Sequence, residues 1–145
     1  GHWRFAAIYL LSAIGGSAFV LMWVLVQPST VYTATVGASG AVFGLFGALF
    51  VVQREAGMDT RAVLVLVAAN LAYGFIASNV SWQSHLGGLI VGAFVAFLLI
   101  RQGRAKGGIT AREQESQAML MTGAVFLGMC AFITLIYKVL FGVLS

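Results

Sequence analysis

Of the 145 residues, 61% are hydrophobic and 8% are charged, with a mean hydropathy of +1.00; a water-soluble domain carries about a quarter charged residues, so a soluble globular class is excluded. The net charge of +4 does not point to nucleic acid, because the charges flank apolar stretches instead of forming one basic surface. Cys130 is the single cysteine and His2 and His85 are the only histidines, which excludes a disulfide framework, argues against a metal site and leaves no cofactor expected.

Crossing a bilayer as a helix takes about 20 mostly apolar residues. Residues 5–26, 36–52, 62–77, 85–100 and 118–140 meet or approach that requirement. They predict an all-α, polytopic transmembrane helix bundle of five spans. The third and fourth stretches are short and need a thin bilayer, buried ends or close packing. None has the basic start, short apolar stretch and small-residue cleavage site of a signal peptide.

The first span, 5–26, ends before Pro28, which cannot continue a helix interior and marks the first turn. The second, 36–52, is followed by a short turn containing Gly57, and the third, 62–77, carries Asn70 at its middle. A polar amide there is expected to hydrogen-bond across helices. Asn79 and Trp82 lie before the fourth span, where an indole suits the membrane interface. The stretch 103–117 is the only long hydrophilic segment, and it sets the last span, 118–140, apart from a tighter group of four.

Charge gives the orientation. Arg4, Arg54, Arg61, Arg101, Arg104, Lys106 and Arg112 all fall on one side of an alternating topology, while 27–35 and 78–84 carry no charge. Short cytoplasmic loops collect Lys and Arg, so the chain is expected to start in the cytoplasm. Lys138 is the exception, near the outer end of the last span, where a long side chain can snorkel.

On this topology Ser39 and His85 lie at the same, outer face, because the chain crosses an even number of times between them. Ser39 opens the second span within Gly37-Ala38-Ser39-Gly40, and His85 opens the fourth within His85-Leu86-Gly87-Gly88, with Gly92 further on the same face. Unpaired N–H groups at a helix start can hold an oxyanion. Flanking glycines let backbones approach closely. A general base must come within about 2.6–3.2 Å of the hydroxyl proton, and Gly88 and Gly92 would allow that by seating one helix on the other. The plainer readings are that Ser39 is a small packing residue and His85 an interfacial histidine. Gly40, Gly44 and Gly47 form one helical stripe suited to close packing. Phe43, one turn below Ser39, is placed to sit under an imidazole or to make an ordinary apolar contact. The acidic residues, Glu55, Asp59, Glu113 and Glu115, all lie in expected cytoplasmic segments. None can orient His85 as in a soluble triad, so catalysis here would use a Ser–His dyad.

Gly37-Ala38-Ser39-Gly40-Ala41-Val42-Phe43-Gly44, followed two spans later by Ser84-His85-Leu86-Gly87-Gly88 and Gly92, resembles the rhomboid intramembrane serine proteases. The opening, Arg4-Phe5 through Gly15-Gly16, resembles the third helix of that fold, and the likeness extends over nearly the whole chain. It implies Ser39 as nucleophile and oxyanion-hole N–H donor, and His85 as base. Gly37, Gly40, Phe43, Gly88 and Gly92 would shape the site, with Phe43 packing beneath the histidine. It also implies a core with two earlier helices, the second bearing a His and an Asn that help bind the oxyanion. Residues 1–145 are therefore expected to be the later part of a rhomboid-like peptidase domain that lacks the first two core helices, with 118–140 an appended helix, and this chain by itself is expected to insert with little or no proteolytic activity. The expected partners are transmembrane protein substrates and the lipid bilayer, with no nucleic acid and no metal. The expected location is a bacterial inner membrane, the site near the extracytoplasmic face. A catalytically inactive rhomboid-like scaffold that binds spans without cutting them is the alternative. A transporter fragment fits less well, since the spans lack acidic residues and paired broken helices.

Overall fold

The computed structural model describes residues 1–32, 38–77, 80–104 and 110–144. Among these residues five α-helices follow one another: α1 (His2–Val24), α2 (Ala38–Glu55), α3 (Arg61–Ile76), α4 (Trp82–Arg104) and α5 (Ala111–Leu144), with a 3-10 turn, Pro28–Tyr32, between the first two. No strand occurs among the described residues. Each expected span is a helix, and the architecture is a polytopic all-α bundle. Helices α1, α4 and α5 are long and apolar enough to cross a membrane. Helix α3, at 16 residues, reaches about 24 Å at 1.5 Å per residue.

Local chemistry sets the ends. Helix α2 ends at Glu55, and the turn that follows passes through Gly57, whose φ of 68° suits a residue without a Cβ. The Met58 N–H then bonds back to the Gln53 carbonyl at 2.8 Å and the Gly57 N–H to Arg54 at 3.1 Å, which satisfies carbonyls the helix leaves open. Helix α4 starts three residues before the expected span because the Ser81 hydroxyl accepts from the Ser84 N–H at 3.3 Å, an N-cap. Helix α5 starts seven residues early, inside the hydrophilic segment. Thr110 and Glu113 form a reciprocal capping box there, with the Thr110 N–H donating to the carboxylate at 2.8 Å and the Glu113 N–H to the hydroxyl at 3.2 Å.

The tight unit is three helices, α1, α2 and α4, and not the expected first four. Helix α3 lies to the side, joined through Val63 and Val67 to Phe43 and its neighbours Phe46 and Phe50. It exposes Leu64, Val65, Leu66, Tyr73, Phe75 and Ile76. Asn70 is exposed, and its amide donates to the Leu66 carbonyl of its own helix at 2.8 Å. Among the described residues the expected interhelical bond is absent, because Asn70 lies on an exposed part of α3 and its amide is taken up by its own backbone. Helix α5 runs along α1. Ala118 joins the cluster of Leu11, Val95 and Leu99, and Ile136 and Leu140 pack on Val24.

Polar contacts gather one set of helix ends. Trp3 and Arg4 of α1 both donate to the Glu115 carboxylate of α5, Arg4 at 2.9 Å. Gln102 of α4 donates to the Gln114 carbonyl at 2.7 Å, while the Gln114 amide donates to the Gly103 carbonyl at 2.8 Å. Arg104 donates to the carboxylate and carbonyl of Glu55 at the end of α2. This is the end expected from sequence to carry the basic residues. Ser39 and His85 start their helices at the other end.

Candidate active site

The crossing of α2 on α4 sets the site, and its geometry follows from missing side chains. A Cβ on Gly88 would lie 2.6 Å from the Gly40 carbonyl carbon and 3.0 Å from the Gly40 Cα. A Cβ on Gly92 would run into the Gly44 backbone in the same way. Glycine at 88 and 92 on α4 and at 40 and 44 on α2 therefore lets the two backbones touch, as small residues do between membrane helices. Helix α1 closes the third side. A Cβ on Gly16 would meet the Ser84 hydroxyl at 2.8 Å, and one on Gly40 would meet the same hydroxyl at 2.6 Å.

His85 and Ser39 flank this crossing. His85 is in the first turn of α4, three residues before Gly88 and directly after Ser84. Ser39 directly precedes Gly40 in the first turn of α2. The His85 side chain is 6% exposed. Its imidazole lies on the Phe43 ring with centroids 3.9 Å apart and planes 9° from parallel. Phe43 is one helical turn from Ser39 along α2, so the ring that carries the imidazole stands on the same helix as the serine. Phe46 meets Phe43 edge-on at 5.9 Å and holds that ring from below.

Ser39 is exposed, and among the described residues no hydrogen bond joins it to His85. The His85 Nδ1 is buried and also has no partner there. Helix α2 begins at Ala38, so the N–H groups of Ser39 and Gly40 belong to the first turn, which has no intrahelical acceptor. Gly37 and Asn79 lie outside the described residues. Glu55 is tied to Arg104 at the far end of α4, roughly 28 Å along the helix from His85. Glu115 is tied to Arg4, at that same end. No group of three or more metal-binding side chains occurs among the described residues.

Sequence reasoning missed two features. The first is the part played by α1: Ser12, fully buried, sits against Gly44, and Gly15 and Gly16 face α4. The four-residue spacing of Ser12 and Gly16 is itself a small-residue contact pattern that signals this. The second is an aromatic cluster. Trp82, expected only as an interfacial residue, meets Trp23 of α1 edge-on at 4.9 Å and stacks on Phe75 of α3 at 4.8 Å. It ties three helices together at the end where His85 lies.

Residues 1–102 match the family model described as the Rhomboid domain. The chain is 37% identical over 132 residues to the rhomboid protease GluP of Bacillus subtilis, covering 86% of this chain and 24% of that protein. It is 30% identical over 124 residues to the rhomboid protease AarA of Providencia stuartii, covering 69% and 44%. It is 30% identical over 107 residues to RHOMBOID-like protein 5 of Arabidopsis thaliana, covering 69% and 33%. The chain thus spans less than half the length of each of these relatives. No solved structure matches it significantly.

Proposed function

Because the chain belongs to the rhomboid family of multi-pass integral membrane proteins, we propose that it carries the catalytic dyad of an intramembrane serine endopeptidase, with Ser39 as nucleophile and His85 as general base. The observation that carries this reading is the seating of the His85 imidazole on Phe43, one turn from Ser39 on the helix that Gly40 and Gly88 bring against α4. Two relatives are rhomboid proteases by name, which favours the protease over a non-cutting scaffold.

In the proposed reaction the Ser39 hydroxyl attacks a scissile carbonyl as His85 takes its proton. The developing oxyanion is held by first-turn N–H groups of α2, including that of Ser39, where the positive end of the helix dipole adds to the field. Collapse expels the amine, which takes the proton from His85, and leaves an acyl-enzyme. Water, deprotonated by His85, then releases the acid and regenerates Ser39. Stacking on Phe43 does the orienting that a carboxylate does in a triad. The substrate is another transmembrane protein, unwound near the site, since an intact helix keeps its carbonyls bonded. The site faces the extracytoplasmic side of a bacterial inner membrane, opposite the basic helix ends. Residues 1–102, the part that matches the family, would be the later part of the peptidase core, and α5 an appended helix.

The test is labelling of the membrane-inserted protein by a fluorophosphonate probe, alongside cleavage of a transmembrane reporter. Both are expected in the full-length protein and lost in its Ser39→Ala and His85→Ala variants, with insertion unchanged. Labelling that survives Ser39→Ala overturns the assignment. Insertion of the full-length protein without labelling identifies the scaffold instead.

A further inference from the structure

The end of the bundle opposite the dyad carries an open cleft of about 480 Å³ lined by Glu55, Phe97, Arg101 and Arg104. We propose that this cleft binds the headgroup phosphate of an anionic phospholipid from the leaflet at that end of the bundle.

Three observations support it. The first is charge. Arg104 is committed to Glu55 through the carboxylate and the backbone carbonyl. Among the described residues no carboxylate or carbonyl accepts from Arg101. Its guanidinium instead lies 5.4 Å from the centroid of the Phe97 ring, a cation–π contact that holds the plane while leaving its N–H groups available. Two guanidinium groups against one carboxylate leave the cleft with a surplus positive charge, and a guanidinium is suited to bidentate phosphate binding.

The second is the wall below the arginines. Ile90, Phe94, Phe97, Arg101 and Arg104 fall on one stripe of α4, on the side away from Gly88 and Gly92. Ile90 and Phe94 are each 52% exposed and Phe97 is 36% exposed. An acyl chain can lie along the three apolar side chains while its headgroup meets the two basic ones.

The third is length. From Ile90 to Arg101 the stripe rises about 16 Å, close to one leaflet of a hydrocarbon core roughly 30 Å thick. A free phosphate would need only the arginines, so the apolar stripe of leaflet length favours the lipid.

The experiment is native mass spectrometry of the protein extracted from vesicles of phosphatidylglycerol mixed equally with phosphatidylcholine. We expect one phosphatidylglycerol to be retained preferentially. Arg101→Gln should lower its retention about fivefold, the effect of one arginine near a charged membrane surface. Arg101→Gln with Arg104→Gln should abolish the preference, and Arg101→Lys should preserve most of it. Glu55→Gln, which removes the counter-charge, should raise retention. Equal retention of both lipids by the parent, or an undiminished preference in the double variant, overturns the proposal. Displacement of the lipid by millimolar glycerol phosphate would overturn the lipid in favour of the free phosphate. Arg101 is exposed and among the described residues ties no other helix, so the Arg101 variants test the proposal without disturbing the Arg104–Glu55 contact. The melting temperature in detergent checks folding of the others, and the readout does not depend on proteolysis.

Discussion

The imidazole of His85 lies flat on the ring of Phe43, with centroids 3.9 Å apart, so an aromatic from α2 sets the orientation of a histidine from α4. Phe43 is itself 5% exposed, and its own position is fixed by Phe46, Val63 and Val67. An orientation held by stacking is sensitive to the loss of the ring. Phe43→Ala is expected to lower reporter cleavage by roughly a hundredfold, the cost of about 1 Å of misplacement at a catalytic group. Phe43→Leu should fall between Ala and the parent. The check is the rate at saturating substrate, because the ring acts on the base and not on substrate binding. An unchanged rate in Phe43→Ala would show that something else orients His85.

The helix crossing gives a prediction about stability. A methyl group on Gly88 would overlap the Gly40 carbonyl, and the obstacle is backbone, which cannot rotate away. Gly88→Ala is expected to cost about 1–3 kcal/mol, the usual penalty for overpacking a close contact. On α5, a Cβ at Gly123 or Gly128 would meet nothing within 4 Å. Substituting alanine at those positions is expected to leave stability unchanged or raise it slightly, since alanine is the better helix former. Thermal unfolding in a single detergent compares the three. Equal melting temperatures would mean that α2 and α4 are not in backbone contact at this point.

How much of this was legible in the sequence depends on what kind of interaction sets each feature. Helix positions follow from hydropathy, so each of the five apolar stretches is a helix. The starts of α4 and α5 differ because Ser81, Thr110 and Glu113 extend them through hydrogen bonds, which hydropathy does not register. The facing of Gly88 and Gly92 toward α2 was readable, since glycine spacing on a membrane helix encodes a close approach. The burial of Ser12 against Gly44 had only the four-residue spacing of Ser12 and Gly16 as its signal, shorter than the three-glycine stripe of α2, and was missed. Asn70 misled because an amide in a span finds its own backbone when no partner is opposite. Gly37, expected to shape the site, and Asn79, expected in the loop before α4, lie outside the described residues.

Topology gives the next prediction. Arg4, Arg101, Arg104 and Arg112 lie at the helix ends that Glu115, Gln114 and Glu55 draw together, and the positive-inside rule places that end in the cytoplasm. After Cys130 is replaced by Ser, Ser29→Cys should react with an impermeant thiol reagent added outside intact cells. Gly103→Cys should react only after permeabilisation. Both positions are exposed, so a difference in labelling reports the side and not the burial. The reverse pattern would put the dyad on the cytoplasmic face.

The last prediction concerns how α5 is held. Most of its membrane-spanning surface is bare, with Leu120, Phe126, Leu127, Leu135 and Phe141 exposed. Without a hydrophobic driving force between helices inside a bilayer, packing and polar contacts must hold it. Glu115 receives bonds from both Trp3 and Arg4, and three residues on, Ala118 is fully buried beside Leu11. Removing the carboxylate should therefore loosen the seat of Ala118. In a background where Cys130 is Ser, Ala118→Cys is expected to resist a membrane-permeant maleimide, and adding Glu115→Ala should raise its labelling rate at least severalfold. Glu115→Gln should fall between them, since an amide still accepts from Trp3 but loses the charge that pairs with Arg4. Equal labelling rates with and without Glu115→Ala would show that apolar packing along α1, at Val24, Ile136 and Leu140, holds α5 by itself.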